Sequence, residues 1–264
     1  MRPLLILTIV LTASLPVTAA DLATFIDVPE CFVIGAHSDG KWLTSETAGK
    51  ALKPGASYRL FALTGEIGKA TGGKAEPNPD VCPDVWMQQL TPATEQRAIA
   101  VSATWNPQPR KARSTDTTQE VYVNAARDFI ISQGIQKPLV TITQILRVDL
   151  EGDGEEEVLL SATHYPRRDG GMVTAASAGD YSFVLLRRVV NGKVKTDLIE
   201  GEFYPTSKVF NAPNRYEVSG LLDLDGDGRL EIIFESQYYE GGATTVWKLG
   251  KTKLERVLEI ACGA

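Results

Sequence analysis

Histidine is almost absent: His37 and His164 are the only two in 264 residues. Members of a catalytic triad converge in space from separate segments. Ala36-His37-Ser38-Asp39-Gly40 instead sets them side by side, which suits a hairpin turn. No Gly-x-Ser-x-Gly elbow and no His-Glu-x-x-His occurs, so the usual signatures of serine hydrolases and zinc proteases are missing. The stretch Gly68-Lys69-Ala70-Thr71-Gly72-Gly73-Lys74-Ala75 nearly spells a phosphate-binding loop, but Ala75 stands where a hydroxyl would hold Mg²⁺. Glu76-Pro77 then opens no helix, and the stretch reads as a flexible loop.

Cysteine is scarce too. Cys31, Cys82 and Cys262 include no Cys-x-x-Cys pair, which argues against a thioredoxin-like redox centre or a structural zinc site. An odd number leaves at least one cysteine outside any internal pair, and the shorter closed loop favours Cys31 with Cys82. Positive charge is in deficit, with 27 Lys and Arg against 33 Asp and Glu. That balance argues against nucleic acid as a partner, because phosphate binding needs clustered cations. The one basic cluster, Arg110-Lys111-Ala112-Arg113, follows Pro107 and Pro109 and reads as a solvated linker.

What is present begins with an export signal. Met1 and Arg2 precede the apolar run from Leu4 to Val10 and the small residues Thr18-Ala19-Ala20, the order of a secretory signal peptide. Cleavage is expected before Asp21. Ser14 and Pro16 interrupt the apolar segment, which falls short of the roughly 20 residues of a membrane span. A periplasmic or secreted protein with no span after signal cleavage is the expectation.

Three regions follow: a signal peptide over 1–20, an N-terminal α+β region over 21–112, and a helix plus β-repeat region over 113–264. A short helix is expected from Thr44 or Ser45 to before Pro54-Gly55. Residues 67–83 read as a long loop. Thr117 and Glu120 have capping-box spacing, and Val121, Ala125 and Phe129 share one face of a helix over about 118–133. Beyond it, β-branched runs at 139–150, 157–162, 182–190, 218–224, 231–235, 244–249 and 254–260 are bounded by Gly, Asn and Asp and predict strands. The fold class is mainly β with minor α.

The β-rich half repeats itself. Asp149-Leu150-Glu151-Gly152-Asp153-Gly154-Glu155-Glu156-Glu157 matches Asp223-Leu224-Asp225-Gly226-Asp227-Gly228-Arg229-Leu230-Glu231 at an offset of 74, and Tyr165 falls on Tyr239. The first copy carries a longer loop, from Pro166 to Asp180, whose removal is expected to leave stability nearly unchanged. Alternating carboxylates, a glycine turn and a distal glutamate supply the hard oxygen ligands of Ca²⁺, which accepts a flexible shell more readily than Mg²⁺. A plain turn needs one Asp and one Gly. Four carboxylates held within about 5 Å repel one another without a cation. Neither loop is an EF-hand, because Leu160 and Phe234 occupy the twelfth positions.

With strands on both flanks, these loops resemble the calcium-binding hairpins of the FG-GAP and VCBS repeat families, in which D-x-[DN]-x-D-G-x-x-[DE] precedes an apolar run. The resemblance covers about nine to twelve residues per copy. Neither copy carries the Phe-Gly and Gly-Ala-Pro signatures, and Glu151 replaces the Asp or Asn. It implies an incomplete, propeller-like β-repeat array and two Ca²⁺ sites. The ligands would be Asp149, Glu151, Asp153, the Glu155 carbonyl and Glu157 in the first, and Asp223, Asp225, Asp227, the Arg229 carbonyl and Glu231 in the second. The function this favours is a non-enzymatic binding module that touches a protein or glycan at the cell envelope. An exported hydrolase with structural calcium and His164 chemistry is the alternative, and a purely structural or calcium-sensing protein is a third. A shallow surface formed by Tyr165, Tyr238, Tyr239 and Trp247 would favour binding.

Overall fold

The computed structural model describes residues 22–78, 81–165, 171–250 and 253–263. The expected signal peptide, the first residues of the Pro166 to Asp180 loop and Lys251 lie outside them. No helix among the described residues is long and apolar enough to cross a membrane.

The N-terminal strands are β1 (Ala23–Val28), β2 (Phe32–Ser38) and β3 (Lys41–Leu43), followed by helix α1 (Ser45–Ala51). Next come β4 (Ser57–Ala62), β5 (Gly65–Pro77), β6 (Trp86–Thr91) and β7 (Ala98–Val101). They form one seven-stranded sheet in the order β1-β7-β4-β5-β6-β2-β3. The region expected to be a loop is therefore largely the long strand β5, which pairs with β4 and β6. Its glycines are places of close approach: a Cβ on Gly72 would lie 2.6 Å from the Gln88 side chain. The Ala36 to Gly40 segment does turn a hairpin, with Ser38 opposite Lys41 and both Asp39 and Gly40 at positive φ.

Strand β8 (Arg113–Ser114) precedes helix α2 (Glu120–Ser132). Two antiparallel meanders follow. The first comprises β9 (Ile142–Val148), β10 (Glu157–His164), β11 (Tyr181–Val190) and β12 (Lys193–Phe203), joined at its edge by β8. The second comprises β13 (Arg215–Leu222), β14 (Glu231–Tyr238), β15 (Gly241–Leu249) and β16 (Leu254–Gly263). The sequence repeat is thus a structural repeat, with each acidic loop joining the first two strands of its meander. The protein is mainly β with minor α.

These sheets stack in layers, and the second meander is the middle one. Residues alternate across a strand. In β14, Ile233 faces the N-terminal sheet beside Phe25 and Ile99, while Ile232 and Phe234 face the first meander beside Val148 and Leu186. Each strand of the middle layer therefore feeds two cores. On the outer face of the first meander, α2 buries Tyr122, Ala126 and Ile130 against Leu160, Phe183 and Leu185. On the outer face of the N-terminal sheet, Ala48 of α1 packs into a cluster with Ile26, Val33 and Tyr58.

Several expectations need correction. The buried stripe of α2 lies one residue beyond Val121, Ala125 and Phe129, and Val121 is exposed, because Tyr122 and Ile130 supply more apolar surface to the sheet. The N-cap of α2 is Gln119 without a side-chain bond, and Asp116 ties down the entry by accepting from Thr118 N at 2.8 Å. The disulfide joins Cys82 to Cys262, and Cys31 is free and buried. Cys31 packs in the core under α1 whereas Cys82 packs in the core shared with the second meander, so the N-terminal sheet separates them. Finally, the described part of the long loop is anchored: Ala176 and Asp180 are buried, Ala176 N donates to Asn211 Oδ1 and Gly179 N to the Tyr204 carbonyl.

Candidate metal loops

Both acidic loops fold by the same local rules. Their opening aspartate turns back and caps its own loop. Asp223 Oδ1 accepts from Gly226 N at 2.7 Å and Oδ2 from Gly228 N at 3.0 Å. Asp149 accepts from Gly152 N at 2.6 Å and Gly154 N at 3.0 Å through the corresponding oxygens. All four of these glycines have positive φ, which the tight path requires. The closing glutamates match as well: Glu231 Oε2 accepts from Leu224 N and Glu157 Oε2 from Leu150 N, each at 2.8 Å.

The loops differ in what they gather. Asp223, Asp225 and Asp227 bring one oxygen each to within 4.8 Å of the others, the one such acidic group found among the described residues. Glu231 is fully buried beside them, and its Oε1 has no hydrogen bond. Lys248, on β15, meets this cup with its ammonium, pairing with Asp225, with Asp227 at 2.7 Å, and at 3.7 Å from Glu231 Oε1. The oxygen-only donor set and the buried, unbonded Glu231 oxygen fit a hard divalent cation. In the first loop Glu151 turns aside to Arg229, so Asp149, Glu151, Asp153 and Glu157 do not converge in the same way. Glu155 is exposed and donates its N–H to Asp153 Oδ1 at 2.9 Å.

Electrostatics follow the burial. Burial raises the pKa of Asp223, helped by the charges of Asp225 and Asp227 and opposed by its two backbone bonds. Burial works against the ionised Asp149 too, but there the N–H groups of Gly154, Gly152 and Asp153 win and hold the carboxyl below its usual range. Glu231 is pushed up to about 8, first by burial and then by the negative charge of Asp225. Burial opposes the Lys248 charge, but its bonds to Asp225 and Asp227 outweigh that and raise its pKa.

No protein-family model, curated protein or solved structure matches this chain.

The segment read as a solvated linker is docked on both loops. Trp105 Nε1 donates to the Asp223 carbonyl at 2.8 Å, and Arg110 Nε donates to the equivalent carbonyl of Asp149 at 2.5 Å. A Cβ on Gly226 would lie 3.3 Å from the Trp105 ring, and one on Gly152 3.1 Å from the Arg110 guanidinium. Arg110 also reaches the Gly228 carbonyl at 2.7 Å, and Leu230 N donates to the Leu150 carbonyl at 2.9 Å. The two loops are neighbours, held by one strap; only Lys111 and Arg113 of the basic cluster stay exposed.

Other residues singled out by sequence scatter. His37 packs at a tilt against Trp42 beside the second loop; burial lowers its pKa, against the charges of Asp225, Asp227 and Asp223. His164 lies 3.5 Å from Thr141 Oγ1 and stacks on Tyr181. Trp247 stacks on Phe234 between the two meanders, and Tyr165 donates its hydroxyl to the Asn214 carbonyl at 2.9 Å, while Tyr238 and Tyr239 pack edge-on to each other. Sequence reading missed Lys248, Trp105 and Arg110. An aromatic and a proline-flanked cation in a turn-rich segment were the available signals for the last two.

Proposed function

We propose that this chain is an exported calcium-binding protein related to the FG-GAP and VCBS repeat proteins, working as a binding module and not as an enzyme. The observation that carries the reading is the convergence of Asp223, Asp225 and Asp227 beside the buried Glu231. The parallel capping geometry of the Asp149 to Glu157 loop supports a second, weaker site, because Glu151 must leave Arg229 before it can contribute. Bound Ca²⁺ would neutralise the carboxylates. The residues themselves set the loop path, exclude water from Glu231 and fix the angle between neighbouring hairpins. A surface for a protein or glycan at the cell envelope follows from that rigidity. Exposed Val209 and Phe210, with Phe210 edge-on to Tyr239 at 5.7 Å, supply apolar contact area.

Calorimetric titration of chelator-stripped protein tests the reading. Asp227→Ala should abolish the tighter site and Asp153→Ala the weaker one. Saturation should raise stability by about 2.7 kcal/mol per site at 100 times the dissociation constant. No calcium heat and no melting shift in the unaltered protein would overturn it.

A further inference from the structure

At the far end of β14 from its acidic loop, the interface between the N-terminal sheet and the second meander changes character. Ile233 and Val246 belong to the apolar core, but further along the same sheet Glu235 sits opposite Thr244 and faces Asp27 of β1. A cavity of about 450 Å³ opens there, with Glu30 at its exposed edge and Phe32, Val85 and Ile260 among its apolar lining. We infer that this cavity is a binding site for a small organic cation, a primary ammonium or guanidinium attached to an apolar body.

The charge inventory supports a cation. Asp27 and Glu235 are both buried, at 5% and 9% exposure. Arg97 pairs with Glu235 Oε2 at 3.0 Å and also lies 3.9 Å from Glu217. Thr244 donates its hydroxyl to Asp27 Oδ2. That leaves Glu235 Oε1 buried with no hydrogen-bond partner among the described residues, on a carboxylate that lines the cavity. A buried oxygen in that state costs free energy until a donor reaches it, and an ammonium supplies both the donor and the missing charge. Burial is the first cause of the raised pKa values of Asp27 and Glu235, and the charge of Glu30 adds to both while Arg97 opposes them.

Neither histidine lines the cavity, and its one cysteine, Cys262, is tied to Cys82. The disulfide holds the end of β16 beside the Val85 segment, so this wall is fixed before a ligand arrives, which lowers the ordering cost of binding.

Benzylamine and its neutral isostere benzyl alcohol separate the outcomes when titrated at pH 8 into the full chain, with binding followed by calorimetry and backbone amide shifts. Benzylamine should bind saturably, shift amides around Asp27, Glu235 and Thr244, and bind at least tenfold more tightly than the alcohol. Glu235→Gln keeps the side-chain shape and should weaken benzylamine at least tenfold while leaving the alcohol unchanged; Asp27→Asn should act in the same direction. Circular dichroism and urea midpoints establish that both variants are folded. Equal binding of amine and alcohol, unchanged amine binding in folded Glu235→Gln, or no saturable amine binding at tens of millimolar would each overturn the assignment. The calcium titrations address the other end of β14, so either result stands without the other.

Discussion

Arg229 of the second acidic loop reaches across to Glu151 of the first, and the same guanidinium donates to the Leu249 carbonyl at 2.9 Å. One side chain therefore occupies a candidate ligand of the neighbouring loop. Replacing Arg229 with Met frees Glu151, and the first loop should then bind Ca²⁺ several-fold more tightly, with little change at the second. A calorimetric double-mutant cycle with Glu151→Gln checks this. Additive effects of the two substitutions would remove the proposed link between the loops.

Lys248 supplies an internal positive charge to the carboxylates of the second loop. The ammonium and a divalent cation compete for the same oxygens. Lys248→Met should lower stability in chelator and tighten calcium binding at the second loop, so that the gap in melting temperature between calcium and chelator widens. An unchanged gap would mean that Lys248 and the ion do not compete.

Asp27 and Glu235 give the acid-range stability a defined sign. Burial pushes Asp27 up to about 6 and Glu235 up to about 7, with Glu30 and Glu217 adding to the rise at Glu235 and Arg97 opposing it. Folded protein holds these protons more tightly than unfolded chain. Their contribution is therefore fully present below pH about 4 and is lost as pH rises through 6 and 7. Glu235→Gln removes one such group. Its stability relative to the unaltered protein should increase between pH 5 and pH 8 by roughly 1–3 kcal/mol, measured by urea unfolding. A constant difference across that range would show that Glu235 titrates normally.

The Cys82–Cys262 bond spans a sequence separation of 180 residues. In the chain-entropy account, closing so long a loop stabilises the fold by roughly 5 kcal/mol. A Cys82→Ser, Cys262→Ser double variant should fall by an amount approaching that in chemical denaturation. Cys31→Ala should lower stability by only about 1 kcal/mol, the scale of one small buried group.

Much of this architecture could be read from the sequence because it rests on local signals. The repeat from Asp149 to Glu157 and from Asp223 to Glu231 carries its turn chemistry in nine consecutive residues, and Thr44 caps α1 as its residue type suggests. Strand β12 carried no such signal, since it lies at a sheet edge and Ile199 is its one buried residue. The β5 glycines mimic a loop because the reason for them, close neighbours such as Gln88, lies elsewhere in the chain. Lys248 reaches the acidic cup through strand register, with Trp247 opposite Ile232 placing it next to Glu231. Asp27 and Glu235 meet only when two sheets stack. Pairings of this kind have no fixed spacing, and Cys82 with Cys262 belongs among them.

Order of synthesis gives the layered arrangement a further meaning. The middle layer, β13 to β16, leaves the ribosome after both of its neighbours, yet it completes the cores on both sides. Until residues near Ile260 emerge, Phe25 and Ile99 lack their partner sheet, and so do Val148 and Leu186. The first two hundred residues must therefore wait with two apolar faces uncovered, an interval in which sticking to other chains competes with folding. A chain cut before β16 would lose Leu258, Ile260 and Cys262 from the core beside the N-terminal sheet and become a substrate for chaperones and proteases.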